Sequence, residues 1–325
     1  MMVEILTTDN GLAGVLPIVG EAAYLRAKSP RYGWFRGGEF VLPFIVERRA
    51  LFDRMVFTHQ TVCLSGECTE RREYEFLNQV VAAARDLDVD FIYQPQATAV
   101  FSVVPEGATY ARFGTYVVDL QLPLEQLWAN VHGKHRNVIK KAQDAGVEIS
   151  EGPHNLDVCH ELIHATMKRN QKLSVSRDEL EQFRECLHEN VSFYLARKNG
   201  VPQGAAVIVW NMGHTAYYLH GGTSESPFGG AMNLLHWKAM TDMKARGVRQ
   251  YDFVGARVSP PAGSKLETIQ RFKSRFGATM RQGYLWKYPL KPLRYAAFQW
   301  LARVNALMHG ATYRGDIIDE ERALG

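Results

Sequence analysis

Apolar positions along the chain follow two periods, and the points where one gives way to the other mark the elements. After Gly37-Gly38 the run from Phe40 to Val46 is almost wholly apolar, which predicts a buried strand. Between Glu73 and Leu87 the apolar residues Phe76, Leu77, Val80, Val81 and Ala84 return at near-helical spacing, and Phe91-Ile92-Tyr93 follows as a short strand. Tyr116-Val117-Val118-Asp119-Leu120 is another strand-like run. Pro123 then suits the first turn of one helix with Leu124, Leu127, Trp128, Val131 and Val138 on its apolar side and Gly146 as its stop.

A second helix is predicted from Leu156 to Arg169. A third opens at Ser176, where Glu179 completes the spacing of a capping box and Leu180, Phe183 and Leu187 form the buried face. The period then changes to two over Val191 to Arg197, Ala205 to Trp210 and Thr215 to His220, with turns at Asn199-Gly200 and Met212-Gly213, the pattern of an antiparallel meander. A helix from Gly230 to Arg246, stopped by Gly247, precedes a strand from Arg249 to Val254. Periodicity alone supports an α+β or mixed α/β fold. The stretch from Leu293 to Met308 is amphipathic, with Leu293, Ala296, Ala297, Trp300, Leu301, Val304 and Leu307 apolar and Arg294 and Arg303 among them. It is read as packing back on the first domain, the other reading being a helix on a membrane surface, so peripheral membrane contact stays open.

Composition narrows the class. A chain of 325 residues, 46% hydrophobic and 22% charged, is long enough for two domains of ordinary size. Its formal net charge of +4 is too small to mark a histone-like or ribosomal protein. Cys63, Cys68, Cys159 and Cys186 are too few for a disulfide scaffold and lack the paired spacing of a zinc knuckle, so all four are expected as reduced thiols. The N-terminus lacks the apolar core of a secretory signal, and no run approaches the roughly 20 apolar residues of a membrane span, so a cytoplasmic location is expected.

Three local features carry candidate chemistry. From His132 to Ala142 the cations Lys134, Arg136, Lys140 and Lys141 fall within about three helical turns, a face able to hold phosphates of a nucleotide or an RNA backbone; a solvated helix face has the same pattern. Gly221-Gly222 and Gly229-Gly230 flank residues 223–228 ahead of a helix, where backbone N–H groups can meet a phosphate or the chain can simply turn. His160-Glu161-Leu162-Ile163-His164 spells H-E-x-x-H, by which two histidines one helical turn apart bind zinc with the glutamate as base. The longer zinc signature does not follow it, and a helix surface without a metal is the preferred reading.

Several of these segments together resemble the Fem family of peptidoglycan aminoacyltransferases, within the GNAT acyltransferase superfamily. The strand Tyr116 to Leu120, Leu127-Trp128 and the helix Lys134-His135-Arg136-Asn137-Val138-Ile139-Lys140-Lys141-Ala142 match its strand followed by K-x-R-x-x-I-x-x-A. Tyr217-Tyr218-Leu219-His220-Gly221-Gly222, Tyr251-Asp252-Phe253 and Arg271-Phe272-Lys273 with Phe276-Gly277 keep its order and rough spacing. The likeness covers roughly residues 115 to 285 well and the first 100 weakly.

The resemblance implies two GNAT-like domains, 1–115 and 116–288, with mixed, largely antiparallel sheets flanked by helices, and a C-terminal helix and tail over 289–325. It implies transfer of an acyl group to an amine without a covalent enzyme intermediate. No tightly bound cofactor is implied; aminoacyl-tRNA or acyl-CoA would be the donor substrate, and a phosphate-bearing cell-wall or polysaccharide precursor the acceptor, with tRNA among the partners. Lys273 would supply positive charge where the carbonyl oxygen gains negative charge, whereas without the resemblance it reads as a surface lysine. Asp252 would position the substrate amine or cap a loop. Lys134, Arg136, Arg169, Tyr218, His220, Gly229 and Gly230 would bind substrate, although Arg169 also suits a helix C-terminus and the aromatics also suit sheet packing. One departure stands out: where Fem proteins place an acidic residue before a proline, this chain has Gln94 before Pro95, and glutamine cannot act as a general base. The competing functions are an acyl-CoA N-acyltransferase of surface-polysaccharide biosynthesis, a zinc peptidase using His160, Glu161 and His164, and a noncatalytic nucleic-acid-binding protein.

Overall fold

The computed structural model describes residues 2–9, 11–65, 68–93, 96–308 and 315–324. In chain order these form β1 (Glu4–Leu6), α1 (Ala22–Lys28), β2 (Tyr32–Gly37), β3 (Phe40–Arg49), β4 (Phe52–Phe57), β5 (Val62–Cys63), α2 (Glu70–Ala84), β6 (Phe91–Ile92) and β7 (Thr109–Asp119). There follow α3 (Leu124–Asn130), α4 (Gly133–Asp144), β8 (Val147–Glu151), α5 (Leu156–Arg169), α6 (Arg177–Leu187), β9 (Val191–Lys198), β10 (Val201–Val209), β11 (Thr215–Thr223), α7 (Ala231–Ala245), β12 (Gln250–Asp252) and α8 (Lys265–Ser274). The chain ends with β13 (Thr279–Pro289), α9 (Pro292–Met308) and α10 (Ile317–Leu324). Two compact units result: Met1–Thr115 with Gly255–Ser259 and Gln282–Gly325, and Tyr116–Val254 with Pro260–Arg281.

In the first unit the strands run in the order β1-β2-β3-β4-β6-β13, with β5 on β3, and β4 and β6 are parallel. Helix α2 lays Phe76, Leu77, Val80, Val81 and Ala84 against Phe40, Phe44, Met55, Phe57 and Trp286 of this sheet. The C-terminal helix α9 also packs here: Phe298 meets Phe52 and Phe91, and Tyr295 meets Phe91. The buried ammonium of Lys287 bonds Asp316 at 2.8 Å and Asp319 at 2.6 Å and so pins the start of α10. Cys63 and Cys68 are joined as a disulfide, which corrects the expectation of four reduced thiols: their Cα atoms lie 6.1 Å apart, within bonding reach. Cys159 and Cys186 are free.

In the second unit the order is β7-β12-β11-β10-β9-β8, antiparallel except for β11 and β12. The period of two shows directly on β9, where Tyr194 and Ala196 join the core beneath α4 and α7 while Phe193 and Leu195 are buried on the opposite face. The turn at Asn199-Gly200 has both residues at positive φ, 49° and 76°, as a tight hairpin requires. Ser176 accepts from the Glu179 N–H at 3.0 Å and starts α6 as the capping pattern predicts.

The single helix predicted after Pro123 is two. His132 interrupts it: its backbone N–H donates to the Arg275 carbonyl at 2.8 Å, and its ring Nδ1 caps α4 by accepting from Lys134 N–H at 3.1 Å. The orphan carbonyls ending α3 go to Arg136, whose Nη1 donates to Ala129 at 2.7 Å and Val131 at 2.6 Å, and more weakly to Trp128. Two glycines let helices lie directly on backbone. A β-carbon at Gly222 on β11 would collide with the Leu162 carbonyl of α5; one at Gly230, which opens α7 at φ +95°, would collide with the Val138 carbonyl of α4.

Gly222→Ala is therefore expected to lower stability by about 1–3 kcal/mol or more through overpacking; a thermal midpoint equal to the parent's would show that α5 does not rest on that backbone. Arg136→Ala should cost about 1–2 kcal/mol, the order of a lost charged hydrogen-bond set. Lys134→Ala, at an exposed position of the same helix, should melt with the parent.

Candidate functional site

The site builds from the end of β12. Asp252 Oδ1 accepts from the Val254 N–H at 2.7 Å and closes a tight turn, and Val254 takes φ +49°, a left-handed conformation that β-branched residues seldom adopt. This turn aims the Val254 carbonyl at α8, where Lys273 Nζ donates to it at 2.6 Å. Lys273 is 8% exposed, so the surface-lysine reading is excluded. Burial lowers its ammonium from the ordinary lysine range to about 8, against the opposing pull of the Asp252 charge. Asp252, itself buried, caps the loop; of the two roles the sequence allowed, loop capping is the one the hydrogen bond shows.

Behind Lys273 lies a group the sequence reading missed. His236, fully buried on α7, bonds Tyr251 Oη through Nδ1 at 2.9 Å, while its Nε2 has no hydrogen-bond partner among the described residues. Its ring is enclosed by Tyr218, Phe253, Phe272 and Phe276, with centroids 4.6 to 5.7 Å away. Burial first, then the charges of Lys273 and His135, depress its pKa to about 3, so the imidazole is neutral throughout the ordinary pH range. His135 on α4, hydrogen-bonded to the Phe272 carbonyl at 3.0 Å, is likewise pushed down to about 4, mainly by burial. Burial raises the Tyr218 hydroxyl to about 12 and keeps it a neutral donor. The available signal was a histidine in the inward register of α7, beside Met232, Leu235 and Ala239.

The structure thus brings Tyr218 and Lys273 to His236, and Asp252 to Lys273, all within the second unit. The two aromatics and glycine of F-K-x-x-F-G serve this arrangement: Phe272 and Phe276 flank the histidines, and Gly277 lies against Asn130 at the end of α3. The remaining predicted residues lie outside this cluster. Lys134 and Gly229 are exposed, and His220 is half-buried on β11 opposite Val207, next to a bulge. Arg136 donates to the carbonyls that end α3, and Gly230 lies against the Val138 carbonyl at the start of α7. Arg169 Nη2 donates to Thr166 Oγ1 at 2.9 Å and the Thr223 carbonyl at 2.7 Å, tying the end of α5 to β11. Gln94 lies outside the described residues. His160 and His164 stand on α5 with ring centroids 5.9 Å apart, and among the described residues no third His, Cys, Asp or Glu converges with two others into a metal site. No helix among the described residues is long and apolar enough to cross a membrane.

Residues 129–274, the span from the end of α3 to α8, match the acetyltransferase (GNAT) domain family. No curated protein matches the sequence. The fold is similar to that of FemX, with a TM-score of 0.64 and 12% identity over 86% of this chain and 94% of that one. It is also similar to the C-terminal DUF2156 domain of a putative lysylphosphatidylglycerol synthetase from Agrobacterium fabrum, with a TM-score of 0.54 and 14% identity over 84% and 89% of the two chains. L-PGS from Bacillus licheniformis follows, with a TM-score of 0.51 and 12% identity over 83% and 88%. At these identities the likenesses speak to fold. Residues 129–274 thus carry a GNAT acetyltransferase domain, within a chain whose fold is similar to that of FemX.

Proposed function

We propose that the chain transfers an aminoacyl or acyl group from an activated donor, aminoacyl-tRNA or acyl-CoA, to an amine of a phosphate-bearing cell-wall or lipid precursor. The observation that carries this reading is the buried Lys273 ammonium, set by the Val254 carbonyl inside the matched GNAT domain. Attack of an amine on an ester or thioester builds negative charge on the carbonyl oxygen, and a positive group in a water-poor setting stabilises that charge far better than one in solvent. The reacting amine must be neutral, and with Gln94 at the sequence position of an acid its proton would leave through another group or water. The fold likenesses to FemX and to lysylphosphatidylglycerol synthetases support a cell-wall or lipid acceptor. Exposed Lys134, Lys140 and Lys141 on α4 would serve the phosphates of donor or acceptor. Helix α7 has no acidic residue in its first turn, which suits a phosphate at its N-terminus and keeps acyl-CoA beside aminoacyl-tRNA as donor.

A screen of labelled aminoacyl-tRNA and acyl-CoA donors against amine-bearing phosphorylated precursors tests the reading, and no transfer from either class would overturn it. With the active pair found, Lys273→Met should lower kcat by about 10²-fold, the scale of a lost oxyanion donor. It should be at least as stable as the parent at pH 7: burial holds the folded-state pKa below the unfolded value, so the ammonium costs stability below about pH 8, and that cost fades as pH rises towards the unfolded value. The rate should fall above about pH 8 as Lys273 loses its proton. In Lys273→Arg, partly active, that fall should vanish because guanidinium does not titrate there. A decline near pH 8 that survives in the arginine variant would assign it to another group. Lys134→Ala should raise the KM for the phosphate-bearing substrate and leave kcat unchanged.

A further inference from the structure

Helix α9 carries apolar residues on two sides, and the first unit covers one of them. At about 100° per residue, Tyr295, Phe298 and Ala302 fall on the inward side, where Phe298 and Tyr295 meet Phe52 and Phe91. Leu293, Ala297, Trp300, Leu301, Val304, Leu307 and Met308 form a second stripe, about 120° wide, on the outward side. Leu293 is 88% exposed, Leu307 74%, Met308 72% and Trp300 62%. Of the six tryptophans, Trp300 alone appears among the exposed large hydrophobics. Solvated apolar side chains at this density mark a surface that is covered in use.

The charges beside the stripe identify what covers it. Arg294 and Arg303 fall on its two borders, and residues 290–315 contain no acidic residue. The tip of the β3–β4 hairpin lies at the start of the helix, where the Leu51 carbonyl accepts from Arg294. That tip displays exposed Arg48, Arg49 and Ala50 together with Leu51, which is 69% exposed. Lys291 and Arg294 are paired with Asp88 and Asp90 and Arg49 lies 4.0 Å from a carboxylate oxygen of Glu47, so Arg48 and Arg303 carry most of the uncompensated charge. A second copy docking here about a two-fold axis would bring two acid-free, arginine-bordered stripes together. A bilayer with anionic head groups offers hydrocarbon for the stripe and negative charge for its borders.

We propose that α9 and the adjoining hairpin tip form an interfacial surface that seats the chain on an anionic lipid bilayer. The inference does not depend on which donor or acceptor the second unit uses.

Flotation of the full chain with vesicles of phosphatidylcholine alone, and of phosphatidylcholine containing about a third phosphatidylglycerol, tests it. Partition onto the anionic vesicles should be at least about tenfold stronger, as two uncompensated arginines near the surface imply. Trp300 emission should shift to the blue on those vesicles; Trp300→Phe should still float but lose the shift. The combined change Leu293→Gln, Leu301→Gln and Leu307→Gln should weaken flotation about tenfold or more and leave the thermal midpoint unchanged, because these side chains are exposed. Arg48→Glu with Arg303→Glu should remove the preference for the anionic vesicles. Flotation unaffected by the glutamine changes, or no flotation on either vesicle, would overturn the proposal. So would a parent that sediments as a dimer, ignores vesicles and becomes monomeric with the same three changes, since the stripe would then be covered by a second copy.

Discussion

A lysine ammonium moved out of water loses several kcal/mol of hydration unless the protein returns its hydrogen bonds, and in the second unit the surroundings of Lys273 answer that demand. The Val254 carbonyl is available only because the chain leaves β12 in a left-handed turn, and the turn holds because Asp252 bonds the Val254 amide. The placement of β12 matters as much. It lies between β7 and β11, parallel to the latter, so its end opens beside α8 rather than at a solvent edge. Phe272 and Phe276, one before Lys273 and one a turn after it, turn inward and bring the helix down onto His135 and His236. Lysine position, turn geometry and aromatic cluster are thus one constraint seen from three elements.

That constraint is transmitted through backbone contacts as well as side chains. Tyr218 reaches His236 from β11, and β11 is held by α5, which rests on the strand at Gly222. His236 belongs to α7, whose first residue follows Gly230 directly under the Val138 carbonyl of α4. In each case the absence of a β-carbon sets the height of a helix above its neighbour, and interiors packed to crystal-like density absorb little error in such heights. Two of the four glycines that read as phosphate-binding candidates therefore govern the site from a distance.

Elements whose pattern is self-contained were legible in the sequence. The meander β9 to β11 alternates over three strands, Ser176 and Glu179 meet within one turn of α6, and Gly146 and Gly247 follow the ends of α4 and α7. What escaped depends on partners far along the chain. The break between α3 and α4 needs the Arg275 carbonyl to receive the His132 amide, and local spacing through Pro123 to Val138 is equally good for one helix. The hydrogen bonds from Arg136 to the carbonyls ending α3 likewise depend on that break, which a cationic pattern along one helix does not reveal. The Cys63–Cys68 disulfide depends on the approach of two Cα atoms to 6.1 Å, which counting cysteines does not reveal. Within the site, Lys273 was found through the order of neighbouring motifs, whereas His236 was not, because its importance comes from complete burial and an orphaned ring nitrogen.

The two basic groups at the centre constrain each other. The charge on Lys273 is one reason, after burial, that His236 is neutral, and a neutral imidazole in turn spares the ammonium a second cation nearby. Lys273 is left with a pKa of about 8 where a solvated lysine has about 10.5, a deficit of the order of 3 kcal/mol in the free energy of keeping its proton. Asp252 offsets part of the burial cost but does not abolish it. A carbonyl oxygen gaining negative charge beside Lys273 would move the ammonium back towards the solvated value, and the energy recovered would be largest when that charge is largest. In the proposed transfer the deficit therefore acts selectively on the transition state, since a neutral ester or thioester in the ground state recovers little of it. The recoverable amount is comparable to what a positioned oxyanion donor contributes, so in the proposed transfer the burial of this one lysine would supply stabilisation of that order.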